Sequence, residues 1–341
     1  MNIVLCEYAE KREFTAGNKA RTDTVKILID CGYKHIPLYK SKSKKMVVFF
    51  QMIRGCLETI IKANKNDIVF IQYPYYPILV NKILFLVLRF GRSLKKYKIA
   101  LVLHDSLGLR TDDVNQKDLK NEVRQLNNLD VVISHNDKMK AEIRECGGDM
   151  KQIILGPFDY LYDGSPVNTS YAKKNIIVIA GNLSKNKCGY LYKISESIRN
   201  CSLNLYGLDY SGEKNEKICY KGKFAPEELI SHLDGGFGLV WDGDSCTTCN
   251  GIFGRYLAYN NPHKFSLYIA AGLPLIVWSE SALAEYVKKF NLGIVVHSLD
   301  EIDNLISKMS DFEYENIKNC VLDYRKEIIH GKHLKKAIEQ L

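Results

Sequence analysis

Runs of Val, Ile and Leu recur along the chain, each bounded by turn residues and separated from the next by a stretch long enough for a helix. In the first half they fall at residues 2–6, 67–74, 98–105 and 130–136. In the second half they fall at 175–181, 202–207, 237–244, 273–279 and 293–298. Within each run the apolar residues are continuous, so both faces of these strands are predicted to be covered. Covered strands alternating with helices belong to parallel sheets, and the pattern predicts two doubly wound α/β units.

Between them, residues 156–174 read GPFDYLYDGSPVNTSYAKK, rich in Gly, Pro, Asp and Ser and without a period. This is the predicted joint, with one domain over 1–158 and a second over 159–319. The closing stretch, 320–341, reads as helix interrupted at Gly331. Open α/β sheets bind ligands beyond the carboxyl ends of their strands. The polar residues in those places are therefore the candidates: residues 7–19, 72–75, 104–110, 182–187, 207–210, 242–244 and 261–264.

Composition narrows the class. The chain has 341 residues, 46% of them apolar and 26% charged, enough to bury two cores and unlike a disordered tail. Residues 1–160 carry 27 Lys+Arg against 18 Asp+Glu, and the remainder carry 21 of each, so the net +9 lies in the first half. That half is expected to face something anionic. The greasiest run, residues 76–90, is interrupted by Asn81 and Lys82 and is too short to cross a bilayer, so it reads as a buried or interfacial helix. Basic clusters at 40–45 and 89–98 flank it, which leaves peripheral contact with an anionic membrane face open beside the plainer reading of solvated basic surfaces. No secretion signal is visible, and ten scattered cysteines suit a reducing compartment, so a cytoplasmic location is expected. Cys246 and Cys249 form a lone CxxC with no second pair to complete a zinc site.

Residues 260–278, NNPHKFSLYIAAGLPLIVW, carry a specific chemical signal. Asn261 is a predicted N-cap, Pro262 suits the first helical position, and Gly272 is placed to end the helix. A helix start offers N–H groups and a positive dipole end to an anion, and Lys264 adds a full charge in the same turn. The competing reading is a surface lysine on an ordinary capped helix.

The succession FGLVWDGD, NNPHKFSLYIAAGLPLIVW, GIVV resembles the donor half of GT-B glycosyltransferases, whose P-x-K helix precedes an A-G-x-P turn and strand. TAGNKARTD (15–23), LVLHDSLGLR (101–110), FDYL (158–161) and NNPHK narrow the resemblance. They are similar to a bacterial group of glucosyltransferases extending O-linked N-acetylglucosamine on serine-rich adhesins, together with β-1,6-galactofuranosyltransferases of surface-polysaccharide assembly. This implies the GT-B architecture, two Rossmann-like doubly wound domains facing each other across a cleft. It implies transfer of a glucosyl, galactosyl or galactofuranosyl group from a UDP-sugar donor to a glycan, lipid-linked oligosaccharide or glycoprotein acceptor. It further implies a first domain that takes the acceptor, a second that takes the nucleotide, a C-terminal helix returning to the first domain, and a homo-oligomer.

Under that resemblance Lys264, with the N–H groups of His263 and Lys264 and with Asn261 beside them, would hold the diphosphate. Asn182, Lys185 and Lys187 would border the phosphates, and Tyr206 the uracil, although each also reads as an ordinary loop or strand-end residue. Asp105 is the favoured base for the acceptor hydroxyl and His104 its rival; a capping Asp beside a core His is the plainer alternative. Arg110 would contact acceptor or phosphate, or simply pair with Asp112 or Asp113. Thr15, Gly17 and Asn18 belong to the first strand-to-helix loop, where small residues admit a ligand to the backbone. Asp242 and Asp244 mimic a metal-binding DxD but, from their place in the second unit, read as sugar- or acceptor-contacting, and no metal or other cofactor is expected. Tyr259 and Leu267 stand where many retaining GT-B enzymes carry paired glutamates, which favours inversion.

Two rival readings remain: a catalytically inactive homologue acting as partner or chaperone of another transferase, and a nicotinamide-dependent oxidoreductase. The second lacks a glycine fingerprint followed by an acidic ribose ligand. Nucleic acid is not expected as a partner, since the basic half carries no recognised binding motif.

Overall fold

The computed structural model describes residues 1–8, 16–40, 44–112, 116–167, 169–213 and 216–341. The chain divides into two compact units. One holds Gly17–Gly156 with the opening strand and His333–Leu341; the other holds Pro157–Lys332.

The first unit contains strands β1 (Ile3–Tyr8), β2 (Lys34–Lys40), β3 (Ile68–Tyr73), β4 (Lys98–Leu103), β5 (Val131–Ser134) and β6 (Lys151–Ile154). They form one parallel sheet in the order β2-β1-β3-β4-β5-β6. Helices Ala16–Asp30, Lys45–Lys62, Leu79–Lys95, Lys117–Leu126 and Asp137–Glu145 connect them. The chain runs outward from β1 to β2 and then returns past β1 to β3, so the sheet switches direction between β1 and β3.

The second unit contains β7 (Ile176–Asn182), β8 (Ser202–Leu208), β9 (Ile218–Gly222), β10 (Phe237–Val240), β11 (Leu275–Trp278) and β12 (Gly293–Val296). Their parallel order is β12-β11-β10-β7-β8-β9, the doubly wound arrangement whose switch point lies between β7 and β10. Helix His263–Ala271 is buried along its length rather than amphipathic. It packs on β10 so closely that a Cβ on Gly238 would lie 2.3 Å from the Tyr268 ring. The Tyr268 hydroxyl accepts from Ala180 N–H at 2.8 Å, pinning the helix to β7. At its other end Gly272 adopts φ +80°, and Arg325 Nε donates to Ala270 O at 2.7 Å. Helix Asp311–Ile328, which carries Arg325, belongs to this unit. Only after Gly331, at φ +72°, does the chain join the first unit, from His333 onward in the last helix, Lys332–Ile338.

Among the described residues twelve strands form where the hydrophobic runs predicted nine. The additional ones are β2, β6 and β9, all edge strands. An edge strand needs one covered face at most and tolerates proline, so β2 carries Pro37 and β9 exposes its central residues, and neither reads as a covered run.

Candidate active site

In the second unit the switch point brings together the ends of β7 and β10 and the start of helix His263–Ala271. Two hydrogen bonds join the loops that follow the two strands. Gly243, at φ +115°, donates its N–H to Lys187 O at 2.7 Å and accepts from Tyr190 N–H at 3.1 Å. Asp242 is thereby held facing inward, 5% exposed. Its Oδ1 lies 2.9 Å from Lys264 Nζ, and its Oδ2 lies 3.7 Å from Lys187 Nζ. Two cations about one carboxylate leave a local excess of one positive charge.

Burial alone would lower the Lys264 ammonium. The Asp242 carboxylate, helped by Cys188 and Tyr268, overrides it and holds Lys264 well above the ordinary lysine value. Lys264 therefore stays cationic at any physiological pH. The stem of this lysine passes beneath the end of β7, where Gly181 at φ +119° would place a Cβ 3.5 Å from Lys264 Cε. Gly207, opposite Gly181 in the β7–β8 register, has φ +155°, and a Cβ there would lie 1.7 Å from Gly181 O. Two side-chain-free positions thus lie side by side at the carboxyl edge of the sheet, next to a fixed cation and a helix start. Small residues at a strand end, helix N–H groups and a buried lysine are what a phosphate group needs.

The remaining expected residues of this unit separate into several roles. His263 opens the helix, and its ring packs 5.1 Å from Tyr160 and 6.2 Å from Phe158. The capping residue is Pro262, extended at φ −66° and ψ 140°, and not Asn261, which is buried one position earlier; the expected N-cap is one residue out. Asn182 folds back through its Oδ1 onto Ser184 N–H at 2.8 Å. Lys185 Nζ lies 5.0 Å from the centre of the Tyr192 ring. Asp244 does not join Asp242: it is exposed and is bonded to Asn250, whose side chain accepts its N–H and donates to its Oδ1.

Tyr206 is a correction. It was expected to border the nucleotide base, but its side chain is buried, its hydroxyl accepts from Asp234 N–H at 3.0 Å, and burial pushes its pKa up to about 12. Because β8 runs on to Leu208, Tyr206 lies inside the strand and points into the core.

In the first unit His104 and Asp105 follow β4, as expected. Nε2 of His104 lies 2.6 Å from the side-chain oxygen Oε1 of Gln72; in the tautomer that donates from Nε2 to this oxygen, Nδ1 is the basic nitrogen of the ring. The orientation of Gln72 is set by its amide, which donates to Cys6 Sγ and Arg21 O. Asp105 is half-exposed and pairs with Arg110 at 3.1 Å, a partner for Arg110 other than the acceptor, phosphate, Asp112 or Asp113 that the sequence offered. Thr15 lies outside the described residues. Gly17 and Asn18 lie in the first turn of helix Ala16–Asp30 and not in a loop, and beyond them Lys19 is tied to Asp23 at 2.5 Å.

Sequence reasoning missed Glu122. Its buried carboxyl accepts from the Ser106 hydroxyl, from Leu107 N–H at 2.9 Å and from Gly108 N–H at 3.2 Å, holding the loop that carries Asp105. Burial raises its pKa against those hydrogen bonds. The signal was present: Glu122 shares a helical face with Leu119, Val123 and Leu126.

Comparison with known proteins assigns the two units. Residues 2–157 match the N-terminal domain and residues 177–341 the C-terminal domain of the glucosyltransferase 3-like family. The chain is 30% identical over 335 residues to the β-1,6-galactofuranosyltransferase WbbI of Escherichia coli, covering 96% of this chain and 94% of that one. It is 26% identical over 214 residues to glucosyltransferase 3 of Streptococcus gordonii, covering 62% and 61%. Among solved structures, sucrose-phosphate synthase from Thermosynechococcus elongatus superposes with a TM-score of 0.69 at 11% identity, covering 99% of this chain and 97% of that one. WaaG, a glycosyltransferase of lipopolysaccharide biosynthesis, does so at 0.52 and 13%, covering 98% of each. At those identities the likeness speaks for the fold. The chain belongs to the glucosyltransferase 3-like family and is a glycosyltransferase of the GT-B fold.

Proposed function

We propose that the protein transfers a hexosyl group from a UDP-sugar to a hydroxyl of a glycan or glycoprotein acceptor, with inversion and without a metal ion. The observation that supports this most is the Lys264–Asp242–Lys187 cluster at the switch point of the second unit, beside the bare backbone of Gly181. A diphosphate leaving group gains negative charge as its bond to the sugar breaks, and a preorganised cation at that point stabilises the transition state more than the ground state. Lys264 supplies the fixed charge, Lys187 a second, and the first turn of helix His263–Ala271 supplies N–H groups and the positive dipole end.

In the reaction the acceptor oxygen attacks the anomeric carbon, the bond from that carbon to the diphosphate oxygen breaks, and UDP departs as the anion. The acceptor proton passes to Asp105 or to Nδ1 of His104 in the first unit. Because Asp242 is already neutralised by two lysines and Asp244 turns to Asn250, this pair is a poor cation ligand, which supports metal-independent transfer. Of the candidate donors, a galactofuranosyl nucleotide is favoured, because the relative that matches over nearly the whole chain is named for that transfer.

The test is a thermal-shift panel of UDP, GDP, dTDP and NAD on the wild type and Lys264→Ala, followed by transfer assays with UDP-galactofuranose and UDP-glucose in excess chelator. UDP alone is expected to stabilise the wild type, with the shift largely lost in the variant and turnover undiminished by chelator. A shift with NAD alone would overturn the proposal in favour of an oxidoreductase. Absence of both UDP binding and sugar transfer would leave the inactive partner as the better reading.

A further inference from the structure

We propose that helices Lys45–Lys62 and Leu79–Lys95 of the first unit form a docking surface for an anionic lipid bilayer, independently of which sugar the enzyme transfers. The two helices follow β2 and β3 and pack on each other at Gly91, where a Cβ would lie 2.4 Å from Ile60 Cγ1. Each buries one face against the sheet: Val48, Met52, Cys56 and Thr59 in the first, Val80, Leu84, Phe85 and Leu88 in the second. Diametrically opposite, where a surface helix is ordinarily polar, each presents a second apolar stripe.

On the first helix the stripe is Met46, Phe50, Leu57 and Ile61, with Arg54 on its margin. On the second it is Leu79, Leu86, Phe90 and Leu94, with Lys82 and Arg89 along one side. These are not half-hidden residues: Phe50 is 62% exposed, Phe90 64% and Ile61 74%. Of the eighteen large hydrophobic residues exposed among the described ones, twelve lie between Met46 and Leu94. Scattered exposed apolar residues need no explanation, but a contiguous patch of this kind marks an interaction site.

Charge identifies the occupant. Residues 44–98 carry 11 Lys+Arg against 2 Asp+Glu, a surplus of 9, equal to the net charge of the whole chain. Apolar stripes rimmed by Lys and Arg fit a leaflet whose acyl chains take the stripes and whose anionic headgroups take the rim. A second copy of the same face would set two such surpluses against each other, which disfavours self-association through it. Among the described residues no helix is long and apolar enough to cross a membrane, so the contact is one of lying on the surface.

The full-length protein is tested by flotation with vesicles of phosphatidylcholine, with and without about one-third phosphatidylglycerol. The wild type is expected to float only with the anionic vesicles, and less as salt is raised. Phe50→Glu/Phe90→Glu is expected to stay at the bottom while keeping the wild-type unfolding temperature and UDP-induced shift. Lys82→Ala/Arg89→Ala is expected to partition about 25-fold less, at about fivefold for each charge removed near an anionic surface. Equal flotation of wild type and variants, or none by the wild type, would overturn the proposal. So would self-association of the wild type that Phe50→Glu/Phe90→Glu abolishes, since the face would then cover a second copy.

Discussion

Replacing Lys264 by Met keeps the apolar stem beneath Gly181 and removes only the ammonium, so it isolates the charge on which the site is built. Two consequences can be sized. The first concerns stability. Orphaning a buried charge costs about 3–5 kcal/mol, but Asp242 keeps Lys187 at 3.7 Å, so a smaller loss of about 1–3 kcal/mol is expected. The second concerns ligand. A hydrogen bond to a charged group contributes about 1.5–3 kcal/mol, so UDP should bind roughly 10- to 150-fold more weakly. Uridine, which lacks phosphate, should bind the variant as well as the wild type. In a melting experiment with UDP at about 100 times its Kd, ligand stabilisation should fall from about 2.7 to about 0.4 kcal/mol for a hundredfold weaker complex. Titration calorimetry with UDP and uridine on Lys264→Met and on Lys264→Met/Asp242→Asn reads both effects. The double variant should regain stability, having no carboxylate left to compensate, but not affinity. A Kd for UDP within threefold of wild type would refute the reasoning, as would an equal loss of uridine binding.

Three further outcomes are expected. If Asp105 is the base, Asp105→Asn should lower kcat by about 10²–10⁴ while leaving the Kd for UDP unchanged, and His104→Gln should have the smaller effect; the reverse order would hand the role to His104. Gly207→Ala should destabilise the protein by about 3 kcal/mol or more, read as a drop of roughly 10 °C in melting temperature, because its Cβ would collide with Gly181 O at a backbone angle that L-residues avoid. His135 is buried against Leu103 O, and burial lowers its pKa to about 4, whereas the unfolded chain protonates it near about 6.5. The unfolded state therefore binds the extra proton in that window. Stability should be lost as pH falls from about 6.5 to 4, by up to about 3 kcal/mol, with a shallower slope in His135→Gln in denaturant titrations.

The fold was legible where strands are covered on both faces, because continuous apolar runs such as 175–181 and 273–279 have few other uses. It was illegible at β2 and β9, whose residues meet solvent on an edge and carry Pro37 or Tyr220 and Lys221 in place of a run. Lys264 stood out because a lysine in the first turn of a helix that is otherwise apolar is hard to place for any structural reason. Its partner did not stand out. Asp242 and Asp244 are two residues apart, and only the left-handed backbone of Gly243 and the bonds through Lys187 and Tyr190 decide which one turns inward. Tyr206 misled because a strand end guessed one residue short moves a core residue to the rim. Glu122 shows the opposite failure: its periodicity was visible, but a carboxylate on an apolar face has no meaning until the N–H groups of Leu107 and Gly108 arrive from a distant loop.

The most direct measurement is a crystal structure of the protein soaked with UDP and magnesium. The β-phosphate is expected within hydrogen-bonding distance of Lys264 Nζ and against the N–H groups opening helix His263–Ala271, with no cation between phosphate and protein. A diphosphate bridged by magnesium to Asp242 and Asp244, or seated away from Lys264, would contradict the account.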